Sequence, residues 1–140
     1  MDFRRQSLRQ VFGLAPGTEL DVYGWVKTRR DSKGVTFVQI NDGSCFQDLQ
    51  VVIEAGTISE DDLKPISTGA SVRFSGVLVE SPAAGQAVEV KAHAVEVYGE
   101  ASPATYPMQK KGASWEFLRE IAHLRVRGNT FGAVFRVRSR

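Results

Sequence analysis

Cysteine is nearly missing from this chain: Cys45 stands alone among 140 residues. A single thiol excludes an internal disulfide, so nothing here demands an oxidising compartment. Histidine is scarce as well. His93 and His123 lie far apart, and neither sits at metal-ligand spacing from Cys45. The glycine loops G-x-x-x-x-G-K-S/T and G-x-G-x-x-G, which cradle nucleotide phosphates, do not occur. The run Glu60-Asp61-Asp62 has the wrong shape for a calcium loop and reads as the solvated start of a helix. No catalytic constellation emerges. No stretch approaches the ~20 apolar residues of a membrane span. The opening MDFRRQSLRQ is basic with no apolar run behind it, which is not the pattern of a secretory signal. A cytoplasmic protein is the expectation.

What the chain does have is apolar material for one domain. Hydrophobic residues make up 42% of it, and a chain of this length buries one real core but not comfortably two. Charge is unevenly spread. Residues 1–103 hold ten Lys or Arg against fourteen Asp or Glu, whereas residues 104–140 hold eight against two. The first part is acidic apart from a local basic strip at Lys27, Arg29, Arg30 and Lys33. Unselective coating of nucleic acid calls for a broad basic face. This pattern favours local recognition instead.

Strands follow from alternation with period two. Glu19–Lys27 is the first, with Leu20, Val22 and Val26 inward. Gly24 shares that face and marks a bend or a close backbone approach. Arg29–Gly34 reads as a turn, Val35–Asn41 as the second strand, Asn41-Asp42-Gly43-Ser44 as a hairpin turn and Phe46–Ile53 as the third strand. In Thr57–Ile66, Ser59 ahead of three acidic residues starts a short helix. Gly69–Val79 is the fourth strand, with Val72, Phe74 and Leu78 inward. Ala87–Tyr98 is the fifth, with Val88, Val90, Ala92 and Ala94 inward and Glu89, Lys91 and His93 outward. Its pattern slips near Val95 and Val97, which predicts a bulge. Ser7–Phe12 fits one helical turn ahead of the strands.

Five evenly spaced strands with a short helix between the third and fourth predict an all-β, five-stranded Greek-key barrel. That is the oligonucleotide-binding, or OB, fold, with an SH3-like barrel as its rival. The barrel takes residues 1–103. Beyond it, Pro103 and Pro107 keep a linker extended. Ser114 then caps a helix with the stripe Trp115, Leu118, Ile121 and Ala122, ending near Leu124 or Arg125. Residues 129–138 begin a further helix and leave Phe131, Val134, Phe135 and Val137 uncovered, as in a chain cut before its next domain.

The outward residues carry the functional signal. On the second strand Thr36, Val38 and Ile40 share one face, and Val35, Phe37, Gln39 and Asn41 the other. On the third, Leu49, Val51 and Ile53 oppose Asp48, Gln50, Val52 and Glu54. The apolar sets face the core, which leaves Phe37 outward beside Gln39, with Gln50 on the next strand. An outward aromatic between amides suits a base stacked on the ring and read at its edge. A small second core under a loop or helix gives the same pattern, and strand phase does not separate the two. Arg29 and Arg30 lie beside this face, where a guanidinium fork pairs with phosphate or a base edge. Strict alternation puts Arg29 outward with Lys27. Selective RNA binding, free-standing single-strand binding and a protein-contact role all remain open at this point.

Gly24-Trp25-Val26, Arg29-Arg30-Asp31, Phe37, Asn41-Asp42-Gly43-Ser44 and Leu49-Gln50-Val51-Val52 resemble, in this order, the anticodon-binding domain of class IIb aminoacyl-tRNA synthetases. Those are the aspartyl, asparaginyl and lysyl enzymes. The tail TYPMQKKGASWEFLREIAHLRVRGNTFGAVFRVRS closely resembles the segment joining the anticodon and catalytic domains in bacterial-type asparaginyl-tRNA synthetases. The resemblance implies an N-terminal piece of an asparagine–tRNA ligase whose partner is tRNA(Asn), met through its anticodon loop. It implies that Phe37 stacks an anticodon base. Arg30 and Gln50 contact the same region around the central uridine, with Arg29, Gln39 and Asn41 nearby. Lys27, Lys33, Lys110 and Lys111 are candidate contacts to the tRNA backbone. No cofactor is expected on this piece. ATP and Mg would serve the full-length enzyme, an expected homodimer, while the piece alone is expected to be monomeric. The class II catalytic motifs would lie beyond Arg140. Three positions depart from the family pattern: Gly112-Ala113 replaces a basic pair, Val126 a proline and Gly128 a larger residue. The first weakens contact with the tRNA stem and the second loosens the hinge.

Overall fold

A computed structural model describes residues 5–109 and 112–140. Five strands, β1 (Glu19–Ser32), β2 (Val35–Asn41), β3 (Leu49–Glu54), β4 (Ser71–Glu80) and β5 (Val88–Gly99), close into a barrel in the order β1-β2-β3-β5-β4. Neighbours are antiparallel except β3 and β5, which run parallel. This is the OB barrel that the alternation requires. Its core is the inward set: Val22, Val26, Val38, Ile40, Leu49, Val51, Ile53, Val72, Phe74, Leu78 and Val90 are all buried. Gly24 belongs to that face because a Cβ there would sit 2.5 Å from the Asn41 carbonyl oxygen.

Short helices finish the barrel. Helix α1 (Leu8–Val11) buries Leu8 and Val11 in the core. It starts with a reciprocal cap. The Gln10 N–H donates to Ser7 Oγ at 3.3 Å, and the Ser7 N–H donates to Gln10 Oε1 at 2.9 Å. Ser7→Ala is expected to lower the unfolding free energy by about 1 kcal/mol, read as a lower urea midpoint with an unchanged slope. Helix α2 (Glu60–Leu63) lies between β3 and β4, and Ser59 caps it through the Asp62 N–H. The acidic run is therefore a helix start.

Four expectations need correction. The first strand does not stop at Lys27. It runs to Ser32, because Arg29 to Ser32 pair with Val38 to Val35. Only Lys33 and Gly34 turn the chain, with Gly34 at a left-handed φ of 72°. The third strand begins at Leu49 rather than Phe46. The Asn41 and Asp42 side chains bond the backbone of 43–47 into a loop, and Phe46 is left 57% exposed. Ala94 points outward, because His93 is an extra residue between the pairs Ser75–Ala94 and Gly76–Ala92. Val95 and Val97 then pack against the core, which is the bulge that the slipped pattern predicts.

The tail gives the fourth correction. Helix α3 (Trp115–Glu120) is capped by Ser114 as expected but ends well before Leu124. A 3-10 turn at Arg125–Arg127 leads into helix α4 (Asn129–Ser139). Of the expected stripe only Leu118 is buried, and Trp115 is 61% exposed, tilted against Phe131. No helix among the described residues is long and apolar enough to cross a membrane.

Candidate nucleic-acid interface

The outward face of β1, β2, β3 and β5 is built in two rows. In one, cross-strand pairing sets Arg30 beside Phe37, Phe37 beside Val52 and Val52 beside Lys91. In the other, Thr28 pairs with Gln39 and Gln39 with Gln50. Glu89 ends this second row, because the Gln50 amide donates to Glu89 Oε2 at 3.0 Å. The first row is the stacking row and the second the polar row.

A bulge at Lys27 makes the rows possible. Val26 pairs with Ile40 and Thr28 with Gln39, so Lys27 is the extra residue and the alternation of β1 flips beyond it. Thr28 and Arg30 therefore face outward, and Arg29 turns away. Its Nη1 donates to the carbonyls of Leu63 and Ile66, and its Nε meets Asp31 at 3.3 Å. Arg29 thus ties the strand to the connection after α2. Lys27 is engaged elsewhere too: its ammonium donates to the Arg127 carbonyl at 3.0 Å and to Asn129 Oδ1 at 2.9 Å.

Phe37 is half-buried, yet it belongs neither to the core cluster nor to the apolar residues packed against it. What lies over its ring is Arg30, whose guanidinium carbon is 4.8 Å from the ring centroid, a cation–π distance. Val52, on the other side by register, is buried. The ring thus lies between a buried neighbour and an exposed cation. Gln39 accepts a hydrogen bond from the Thr28 hydroxyl at 3.2 Å.

Asn41 does not join this face. It is buried, and its amide nitrogen donates to Asp48 Oδ1 at 2.8 Å while its oxygen accepts from the Gly43 N–H at 2.8 Å. Its polar atoms organise the β2–β3 loop, so none is free to read a base. Lys33 is exposed in the β1–β2 turn. Lys110 and Lys111 lie outside the described residues. Lys91 is paired with Glu54 at 2.7 Å. That hydrogen bond, and then the Glu54 and Glu89 charges, hold its ammonium above the ordinary lysine pKa. It stays cationic at neutral pH on the edge of the stacking row.

Thr28 and Glu89 escaped the sequence reading as site residues. Alternation does put Glu89 outward on the fifth strand. Its partner on the third emerges only from the parallel β3–β5 closure. The tail borders the same face. A cavity of about 360 Å³ lies between it and the barrel, lined in part by Trp25, Thr28, Gln39, Tyr106 and Leu118. Arg127 stacks over Trp25 at 4.9 Å, and Arg136 donates to the Gly43 carbonyl at 2.7 Å. Among the described residues no cluster of three or more His, Cys, Asp or Glu is placed to hold a metal ion.

The tRNA anti-codon family model, an OB-fold nucleic acid binding domain, matches residues 21–98. The chain belongs to this family. It is 56% identical over 87% of its length to an asparagine–tRNA ligase of Parabacteroides distasonis, of which it covers 26%. It is 54% identical over 96% of its length to that of Geobacter sulfurreducens, of which it covers 29%. The chain thus spans between a quarter and a third of the length of these relatives. Among solved structures, asparaginyl-tRNA synthetase from Pyrococcus horikoshii complexed with asparaginyl-adenylate has the same fold. The TM-score is 0.81 at 23% identity, covering 98% of this chain and 32% of that one. Both parts of the sequence-based resemblance, barrel and tail, are present in these matches. The match to the OB family covers the strands that carry Phe37, Gln39, Gln50 and Glu89.

Proposed function

We propose that this chain is the anticodon-binding part of an asparagine–tRNA ligase and selects tRNA(Asn) through its anticodon loop. The observation that carries the reading is the pair of outward rows. One offers an aromatic ring with an arginine beside it, and the other offers the amides of Gln39 and Gln50 in the adjacent row. Phe37 stacks one base, Gln50 and Gln39 meet its edge, and Arg30 leaves the ring to pair with phosphate or the base edge. Lys33, and Lys110 and Lys111 before α3, add backbone contacts. Arg29, Asn41 and Lys27 hold the site's frame. In the same reading the full-length protein acts in the cytoplasm as a homodimer. It joins asparagine to the tRNA with ATP and Mg, and the chemistry is carried by residues other than these.

The test compares an anticodon stem-loop of tRNA(Asn) with oligo-dT at two salt concentrations. Tight binding of the stem-loop, with oligo-dT at least tenfold weaker at both, is expected. A site with few phosphate contacts also loses little affinity with added salt. Sequence-tolerant, length-dependent binding with a steep salt slope would mean a free-standing single-strand binder. No binding to either would mean a barrel for protein contacts.

A further inference from the structure

The bulge at Lys27 decides which arginine reaches the ring. Lys27 has no partner in the β1–β2 register, so that ladder does not hold it. Were the extra residue to move beyond Arg30, the side chains between would change faces, and Arg29 would stand outward in place of Arg30. The chain that follows the barrel grips the bulge from two sides. On one side, the Lys27 ammonium donates to the Arg127 carbonyl at 3.0 Å and to Asn129 Oδ1 at 2.9 Å. On the other, the turn 67–70 backs the bulge. The Val26 N–H donates to the Ala70 carbonyl at 2.9 Å, and the Thr68 hydroxyl donates to the Lys27 carbonyl at 3.4 Å. That turn is tied in its own right to the linker. The Ser67 hydroxyl donates to the Ala101 carbonyl at 2.7 Å, and the Tyr106 ring lies directly against Gly69. Helix α4 depends on the same grip. It has no side-chain cap at Gly128 and no buried residue, so apolar packing does not seat it. Lys27 at its start, Arg127 over Trp25 and the Arg136 bond to the Gly43 carbonyl tie it to the barrel.

We propose that Lys27 is a positioning residue that couples docking of the tail to RNA binding: α4 seated on its ammonium fixes the bulge, and the fixed bulge presents Arg30 over Phe37. This rests on the anticodon-binding reading above and adds the control of that site. The coupling has two states. With the tail docked, Arg30 stands outward and the face binds RNA. With the tail released, the outer half of β1 is free to shift its register and the face loses its cation. A stem-loop that binds the docked state strengthens docking by the same factor, because coupling between two sites is reciprocal. Lys27 touches no phosphate in this arrangement. It acts through Arg127 and Asn129.

The experiment measures binding of the asparagine anticodon stem-loop to the 140-residue chain, and hydrogen exchange of the α4 amides with and without the stem-loop. Lys27→Met keeps the apolar stem and loses the donors. It is expected to weaken binding roughly 5-fold or more, the lower end of typical coupling between sites, and to speed exchange in α4. Asn129→Ala is expected to move both readouts in the same direction, although it removes no cation. Lys27→Arg keeps the donors and is expected to bind close to wild type. The double variant Lys27→Met with Asn129→Ala is expected to bind no worse than the weaker single variant, because both remove one shared contact. In wild type a saturating stem-loop slows α4 exchange. In Lys27→Met that slowing is lost even at saturation, which RNA merely lying over the helix does not predict. Wild-type affinity in Asn129→Ala, with the fold intact by circular dichroism, overturns the proposal. Weak binding by Lys27→Met alone would then mean that the ammonium contacts phosphate directly. Unchanged α4 exchange in Lys27→Met overturns it as well. Should Lys27→Met not fold, Asn129→Ala decides, since its side chain lies outside the barrel. A wild type that does not bind the stem-loop removes the anticodon reading and this proposal with it. Undiminished binding in every variant removes the proposal alone.

Discussion

Phe37→Ala is expected to weaken binding of the asparagine anticodon stem-loop by about 5- to 150-fold. The estimate takes base–aromatic stacking at ~1–3 kcal/mol per base, and every 1.4 kcal/mol is tenfold. The position suits such a test because Phe37 lies outside the core cluster. Truncation removes the platform without opening a hole in the barrel. One complication follows from the geometry. Arg30 stands 4.8 Å over the ring in the unbound protein, where an incoming base must lie. Binding therefore exchanges a cation–π contact, worth about 0.5–1 kcal/mol at an exposed site, for base stacking. Phe37→Ala removes both, so the measured loss is expected toward the lower end of that range. Phe37→Leu separates the two contributions. It keeps an apolar surface beside Val52 but offers no π-face, and its loss is expected to approach that of alanine. Titration by fluorescence anisotropy, with circular dichroism to verify the fold, gives the answer. Affinity unchanged in both variants would sink the stacking role.

The barrel was legible in the sequence because it depends on local rules. Alternation picked the inward residues of all five strands apart from Ala94, and Ser59 and Ser114 each announced a helix start by their capping chemistry. Errors arose where one residue breaks the period. The insertion of Lys27 shifts Thr28 and Arg30 to the outer face and sends Arg29 to the carbonyls of Leu63 and Ile66. Alternation applied across that point ranks the two arginines in the opposite order to the geometry. His93 did the same to Ala94. Asn41 was misjudged for another reason. It lies at the right phase, yet its amide bonds Asp48 and the loop carbonyls. Contacts closed by a loop are not encoded in strand phase. Glu89 was the least visible. Its meeting with Gln50 requires the parallel closure of β3 on β5, a long-range pairing that no local pattern specifies.

Lys27 also joins the two parts of the chain. The bulge that turns Arg30 toward Phe37 aims the Lys27 ammonium at Arg127 and Asn129, at the start of α4. Thr28 and Gln39, next along the polar row, line the cavity between barrel and tail. The outward face of Phe37 and Gln39 and the segment after the linker therefore share one structural irregularity. The tail carries eight of the chain's eighteen Lys and Arg against only two acidic residues. This is the arrangement expected where a selective barrel hands an RNA onward, with its few phosphate contacts on the tail and its readers on the sheet.

Gln50→Ala is the second large effect, and discrimination is its measure. In wild type, replacing the central uridine of the stem-loop by cytidine is expected to cost ~1–3 kcal/mol, the value of a base-edge hydrogen-bonding pair. In Gln50→Ala that penalty is expected to collapse, because no acceptor faces N3 in either loop. Absolute affinity is a poorer readout, for a reason visible in the structure. Glu89 is buried, and without Gln50 its nearest remaining partner is the Ser81 hydroxyl at 3.5 Å. A buried carboxylate stripped of its donor destabilises the fold, so part of any uniform loss belongs to stability. The ratio of the two loops cancels that part, since both meet the same protein. A penalty in Gln50→Ala equal to that of wild type would exclude Gln50 as the reader and move the selection to Gln39 or Arg30. Phe37→Ala provides the contrast: it lowers affinity for both loops while leaving the edge contact in place. The proposed reading thus assigns tightness to stacking on Phe37 and choice of loop to the edge contact of Gln50.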